Sequence, residues 1–134
     1  MMRLLGMDIG DKRIGLAVSD KEENIAVPLM ILENDPGINK KINSLIIEYN
    51  IGKVVVGLPY NLKGEIGEQA KKVIGFVEAN LAGLCAGVDY EDERFTSKII
   101  TVKKSGKGKK KHIDNISACL ILQSYLDRRK NKVD

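Results

Sequence analysis

Apolar positions fall in short blocks along this chain, and the spacing within the blocks changes twice. Residues 3–9 (RLLGMDI) and 14–18 (IGLAV) are almost continuously apolar and are separated by Gly10-Asp11-Lys12. Short runs broken by a turn signal predict a strand, a tight turn and a second strand. Residues 25–32 (IAVPLMIL) form a third run; its Pro28 cannot donate to a ladder, which predicts an edge or bulged strand. The period then becomes helical: Ile38, Ile42, Leu45, Ile46 and Tyr49 share one face. Asp35 is the expected N-cap of that helix and Pro36 its first helical position.

Residues 53–58 (KVVVGL) revert to a nearly unbroken apolar run, the pattern of a parallel strand buried on both faces. A second helix is expected over 65–81, with Ile66, Ala70, Val73, Ile74, Val77 and Leu81 on one side. A fifth strand is expected over 88–92, a short helix over 96–101, a polar flexible stretch over 103–112 and a last helix over 114–130. Consecutive strands joined by short turns pair antiparallel, and later βα units add parallel strands. The expected fold class is therefore α/β: a mixed five-stranded sheet, three strands antiparallel and two parallel, flanked by helices. No internal repeat or linker interrupts the 134 residues, so one domain over 1–134 is expected.

Composition narrows the chemistry. Aromatic residues make up 4% of the chain and Trp is absent, against 43% hydrophobic residues overall. The core must then be Ile, Leu and Val, and stacking of bases on aromatic platforms is disfavoured as the main binding mode. A net charge of +4 is a weak pointer to nucleic acid. Cys85 and Cys119 sit among apolar residues without metal-ligand spacing, which predicts buried reduced thiols. No charged-then-apolar leader and no 18-residue apolar run is present, so a soluble cytoplasmic protein with no membrane partner is expected.

Three features carry candidate chemistry. Asp8 lies inside the first apolar run, with Gly6 and Gly10 on either side. A buried carboxylate must be paired, hydrogen-bonded or bound to a cation, and the glycines let a ligand or another backbone come close. The cluster Tyr90-Glu91-Asp92-Glu93-Arg94 ends the fifth strand, where ligand sites of such sheets lie; alternation alone leaves open whether Asp92 or Glu93 points to the Asp8 side. Asp114 begins the last helix on its apolar side, since Ala118 and Ile121 follow at i+4 and i+7. An ordinary helix-terminal aspartate is the competing explanation there. Just before it, residues 103–111 (KKSGKGKKK) form a cationic stretch suited to a polyanion and lacking aromatics to read bases. Carboxylates brought together cannot all stay ionised without cations between them. With no His/Cys ligand set, Mg²⁺ or Mn²⁺ is the expected ion, and a pair of such ions supports phosphodiester hydrolysis.

Almost end to end, the chain resembles the YqgF/RuvX family of Holliday junction resolvases and pre-16S rRNA nucleases in the RNase H-like superfamily. The resemblance is carried by MDIGDKRIGLAVSD at 7–20, Pro28-Leu29, VVVGLPYNLKGEIGEQA at 54–70, DERFTS at 92–97 and HIDNISACLILQSYL at 112–126. It implies an RNase H-like sheet with Asp8, Glu93 and Asp114 as catalytic, metal-binding carboxylates, and so favours Glu93 over Asp92. It also implies that Asn61 and Gly64 belong to a loop near the site and that Arg94 and Thr96 make substrate or structural contacts. Lys12, Arg13 and, from the cationic stretch itself, Lys107, Lys109, Lys110 and Lys111 are expected to contact substrate as well. Ser97 stands where Thr is common in the family, and the lysine density of 103–111 is particular to this chain.

The function so implied is a metal-dependent endonuclease of structured nucleic acid, with 5′-end processing of pre-16S rRNA in ribosome biogenesis favoured. The alternatives are resolution of Holliday junctions, which would require a symmetric homodimer, and a non-catalytic RNA-binding assembly factor. An ATP-binding module is suggested by the likeness of DIGDKRIGLAVSD to the phosphate hairpin of the actin and sugar-kinase group, but that group needs a second domain.

Overall fold

A computed structural model describes residues 2–61, 63–84, 86–93 and 110–133, with side chains excluded at 110–115 and 131–133. The expected short helix at 96–101, Cys85 and residues 103–109 of the lysine-rich stretch lie outside the described residues.

The elements follow in the order β1 (Arg3–Ile9), β2 (Arg13–Ser19), β3 (Ala26–Glu33), α1 (Ile38–Glu48), β4 (Ile51–Leu58), α2 (Glu68–Asn80), β5 (Gly87–Asp92) and α3 (Lys110–Val133). The five strands form one sheet in the order β3-β2-β1-β4-β5. β1 is antiparallel to β2 and β2 to β3, whereas β4 is parallel to β1 and β5 to β4. The expected mixed sheet is thus present, with β1 at its centre. Pro28 lies on the edge strand β3 opposite Ala17, where the register shifts between Leu16 and Ala17. The bulge accommodates the missing donor as expected.

Strand alternation sorts the core into two layers. Leu5, Met7 and Ile9 of β1 join Ile14, Leu16 and Val18 of β2 and Val54, Val56 and Leu58 of β4 under α1 and α2. Leu4, Ala17 and Val55 pack on the other face against Ala118, Ile121, Leu122, Tyr125 and Leu126 of α3. β1 and β4 are covered on both sides, which is why their sequences run apolar without a break.

Three helix starts differ from expectation, the first two because a local hydrogen bond intervenes. The Asp35 carboxylate accepts the Gly37 amide at 3.1 Å and the Asp35 carbonyl accepts the Ile38 amide at 3.0 Å. Asp35 and Pro36 therefore form a turn, and Gly37 is the N-cap of α1. α2 begins at Glu68 rather than Glu65, because Asn61 Oδ1 takes the Glu65 amide at 2.9 Å. α3 begins at Lys110 rather than Asp114, so Asp114 lies one turn inside the helix and is not its cap.

α3 approaches the sheet unusually closely over Gly6. A Cβ at Gly6 would lie 2.7 Å from Leu122 Cβ and 2.9 Å from the Ala118 carbonyl oxygen. The helix is tied along its length to both ends of the sheet. Gln123 Oε1 accepts the Ala26 amide of β3 at 2.8 Å. Cys119 Sγ, half-buried, bonds the Ala26 carbonyl at 3.2 Å. On β5, Asp89 accepts a hydrogen bond from the Tyr125 hydroxyl and pairs with Lys53 Nζ at 3.2 Å. Tyr125 holds the Asp89 carboxyl below its ordinary range, Lys53 adding to the effect. Burial, followed by the bond to Asp89, pushes the Tyr125 hydroxyl up to about 12.

Gly6→Ala is expected to cost about 1–3 kcal/mol in urea unfolding, as overpacking does. Gly75→Ala, on α2 with nothing within 4 Å of the new Cβ, is expected to stabilise by up to about 1 kcal/mol. Tyr125→Phe is expected to cost about 1 kcal/mol at pH 7. Because the Asp89 pKa is depressed in the folded state, its contribution is present above the ordinary aspartate value of 3.8 and lost as pH falls through the folded pKa. The gap between wild type and Tyr125→Phe should therefore close in acid. Because the Tyr125 pKa is raised, wild type should lose stability between pH 10 and about 12 while Tyr125→Phe does not.

Candidate active site

β1, β4 and β5 are parallel, so their carboxyl ends share one edge of the sheet. Asp8 stands at the end of β1, half-buried. It follows Leu4 and Gly6 by alternation and so points to the α3 face. The parallel register pairs Met7 with Val56, which brings Gly57 level with Asp8. Across from Gly57 on its other side is Glu91. Glu93, the first residue after β5, folds over Gly57: a Cβ at Gly57 would lie 3.0 Å from Glu93 Cγ and would overlap the Ile121 side chain. Only a glycine at 57 leaves room for Glu93 and Ile121 beside the Asp8 row.

The same alternation resolves the acidic cluster. Asp89, Glu91 and Glu93 share the α3 face, since Asp89 meets Tyr125 and Glu91 meets Ser124; Asp92 belongs to the opposite face. Glu93 is thus the acid on the Asp8 side, the question that spacing left open. Glu91 is a functional-looking residue with a different role, which sequence reasoning did not single out. It is 1% exposed. Its Oε2 accepts the Ser124 hydroxyl at 2.8 Å, and its Oε1 lies 3.8 Å from Arg128 Nη1. It ties β5 to α3 two residues before Glu93. A carboxylate one period from Asp89 in a strand already known to face a helix was the available signal.

Burial, followed by the neighbouring charge of Asp92, raises the Glu93 pKa above its ordinary value. A carboxylate so placed gains from a nearby cation. The donors here are carboxylate oxygens, which suit hard ions such as Mg²⁺ or Mn²⁺. Among the described residues no group of three His, Cys, Asp or Glu side chains gathers as a metal site. Asp114 occupies the α3 position one turn before Ala118, the residue whose carbonyl faces Gly6. α3 runs from that end toward Tyr125 over the start of β5, so its early turns lie toward the strand ends. The Asp114 side chain itself is outside the described residues.

Of the expected substrate contacts, Lys12 and Arg13 are exposed on and just after the β1–β2 turn, beside the end of β1. The turn is closed by the Gly10 amide donating to the Arg13 carbonyl at 2.9 Å. Asn61 builds its own loop. Its Oδ1 accepts the amides of Lys63 at 3.0 Å and Glu65 at 2.9 Å, and its carbonyl accepts the Gly64 amide at 2.9 Å. Gly64 has φ 78°, which explains a glycine there. The motif GLP-x-N-x-x-G thus has a physical basis in the close packing at Gly57, the loop brace at Asn61 and the left-handed turn at Gly64. Arg94, Thr96, Lys107 and Lys109 lie outside the described residues. Lys110 and Lys111 open α3, their side chains outside the description.

Residues 2–128 match the model of the RuvX family, whose description is Holliday junction resolvase. The chain belongs to the RuvX family. A protein of Sulfurihydrogenibium sp. (strain YO3AOP1) named "Putative pre-16S rRNA nuclease" is 47% identical, over 96% of this chain and 92% of that protein. One of the same name from Caldanaerobacter subterraneus subsp. tengcongensis is 42% identical, over 97% and 99%. Among solved structures, T. thermophilus RuvC in complex with Holliday junction substrate aligns with TM-score 0.60 at 15% identity, covering 98% of this chain and 97% of that one. The fowlpox virus resolvase in complex with Holliday junction DNA aligns with TM-score 0.54 at 16% identity, covering 95% and 98%. These structural likenesses establish a RuvC-type RNase H-like fold for this RuvX-family chain, as the sequence led one to expect.

Glu93→Gln is expected to raise the Tm at pH 7 in the absence of divalent ions. The folded pKa of Glu93 lies above the unfolded one, so charging it disfavours folding as pH rises through that window. The gain should vanish well below pH 4.5, where both states are protonated. A Tm unchanged at pH 7 would show that Glu93 carries no such cost.

Proposed function

We propose that this chain is a metal-dependent nuclease that hydrolyses phosphodiesters in structured nucleic acid, with precursor 16S rRNA as its substrate. The observation that carries the proposal is the placement of Asp8 and Glu93 on one face at the carboxyl ends of the parallel strands, on either side of a glycine. The curated relatives' shared name supports the rRNA substrate, and the net charge of +4 suits a polyanion. The assignment of Asp114 as a third carboxylate rests on its position one turn before Ala118 in α3 and on the family resemblance.

In this mechanism the carboxylate oxygens of Asp8, Glu93 and Asp114 would hold Mg²⁺ or Mn²⁺, which would supply Lewis-acid activation of water and charge stabilisation at the scissile phosphate. Gly57, lacking a side chain, lets Glu93 and Ile121 pack over the strand level with Asp8. Glu93, held partly out of water beside Ile121, favours the metal-bound over the metal-free site. Lys12 and Arg13 neutralise phosphates flanking the cut, and Lys107, Lys109, Lys110 and Lys111, before and at the start of α3, extend that contact. Such contacts position the strand without reading its sequence. The second substrate class, a four-way DNA junction, is favoured by the RuvX family description and by the junction complexes among structural neighbours.

The test offers purified protein a labelled precursor 16S 5′ fragment and a mobile four-way junction, with Mg²⁺ or Mn²⁺ and with EDTA. Metal-dependent cutting of the rRNA fragment is expected, reduced at least about 100-fold in Asp8→Asn. Cutting of the junction alone would transfer the substrate to DNA. Tight RNA binding with no cutting, together with full rRNA maturation in cells carrying Asp8→Asn, would replace the enzyme with a non-catalytic assembly factor.

A further inference from the structure

The sheet edge that carries Asp8 has a second feature on its opposite face. α2 presents Gln69, Lys72, Val73 and Phe76 at i, i+3, i+4 and i+7, and between them and the β1–β2 turn lies a cavity of about 260 Å³. Ile9 and Val73 are buried and Phe76 is half-buried, so the inner wall is apolar and includes one aromatic ring. The rim is polar, with the amides of Asn34 and Gln69, the carboxylate of Asp11 and the ammonium of Lys72. Gly10 also lines the cavity and is two residues from Asp8, a backbone separation of at most about 7 Å.

The rim is partly preorganised. Asn34 donates its backbone amide to the Lys12 carbonyl at 2.9 Å and its Nδ2 to the Gly10 carbonyl at 2.9 Å. This pins the side chain to the turn that follows Asp8. Lys72 faces Asp11 at 3.8 Å, with both side chains more than half exposed. Such a surface pair is weak, so Lys72 can exchange Asp11 for a phosphate. The volume falls below the roughly 300–1,000 Å³ of pockets for larger ligands and suits one planar ring.

We propose that this cavity is a subsite for one unpaired nucleobase of the strand whose backbone passes Asp8. The proposal rests on the nuclease function argued above. The ring of Phe76 supplies a stacking face that accepts any base, Asn34 and Gln69 supply hydrogen bonds to a base edge, and Lys72 meets the adjoining phosphate. A single ring makes this one subsite and not a stacking platform, in keeping with the low aromatic content. It would direct the enzyme to a junction between paired and unpaired nucleic acid.

The test is fluorescence anisotropy, without divalent ions, on a blunt RNA duplex and on the same duplex with a short single-stranded extension. Wild type is expected to prefer the extended duplex. Phe76→Leu, which keeps apolar bulk, should weaken binding of the extended probe about fivefold or more and leave the blunt probe unchanged. Gln69→Ala, at an exposed position, should erode the same preference about twofold or more. If Phe76→Leu melts early, Gln69→Ala decides. Absence of any preference for the extension, or equal losses on both probes, overturns the subsite. Cutting assayed in parallel with Mg²⁺ separates the two ideas: preference without cutting keeps the subsite and removes the nuclease, and cutting without preference does the reverse.

Discussion

The close seating of α3 on the sheet governs the rest of this molecule. Gly6 brings the helix backbone at Ala118 almost into contact with the central strand, and Gly57 makes the same allowance for Ile121 on the next strand. A larger side chain at either position would lift the helix. Protein interiors are packed too densely to absorb such a shift without repacking. The helix would then move relative to the strand ends that carry Asp8 and Glu93. Two missing side chains thus hold a site together as much as any contact does.

Polar ties along α3 fix its direction as well as its distance. Tyr125 meets Asp89, Ser124 meets Glu91, and Gln123 meets the Ala26 amide on the far edge. These bonds span the whole sheet width, from β5 to β3, so the helix cannot pivot freely about its apolar seam. Glu91 is the least exposed of the three carboxylates on the α3 face of β5. Its burial, with Ser124 and Arg128 as partners, is the pattern of a paired structural charge. Glu93, two residues on, is half-buried near Ile121 and Asp92 and has its proton affinity raised. One strand therefore carries acids of two kinds: those satisfied by the helix and one placed at the cost of stability, as is common at functional sites.

The opposite face of the same edge adds a cavity whose wall is α2 and the β1–β2 turn. The turn serves both faces, since Gly10 closes it and Asn34 braces it from the end of β3. A nucleic-acid strand crossing this edge would meet carboxylates on one side and an apolar slot with amide rims on the other. That arrangement gives the edge a means to hold a strand at two points.

Much of this was legible in the sequence. Nearly unbroken apolar runs at 3–9 and 53–58 marked strands covered on both faces, because burial on two sides removes the need to alternate. Pro28 marked an edge because it lacks a donor. Helical spacing in α1, α2 and α3 showed which faces would be apolar, and an aspartate in the first run marked Asp8 as costly. Helix starts were misplaced where Asp35 and Asn61 took backbone amides locally, since a side chain's choice between turn and cap depends on geometry that spacing does not encode. What only the tertiary structure decided was the pairing of distant residues. Glu93 rather than Asp92 lies on the Asp8 side because β5 presents Asp89 and Glu91 to α3, a fact set by packing and not by alternation alone. Glu91 became structural and Gly57 essential for the same reason: both follow from how closely one helix can approach one sheet.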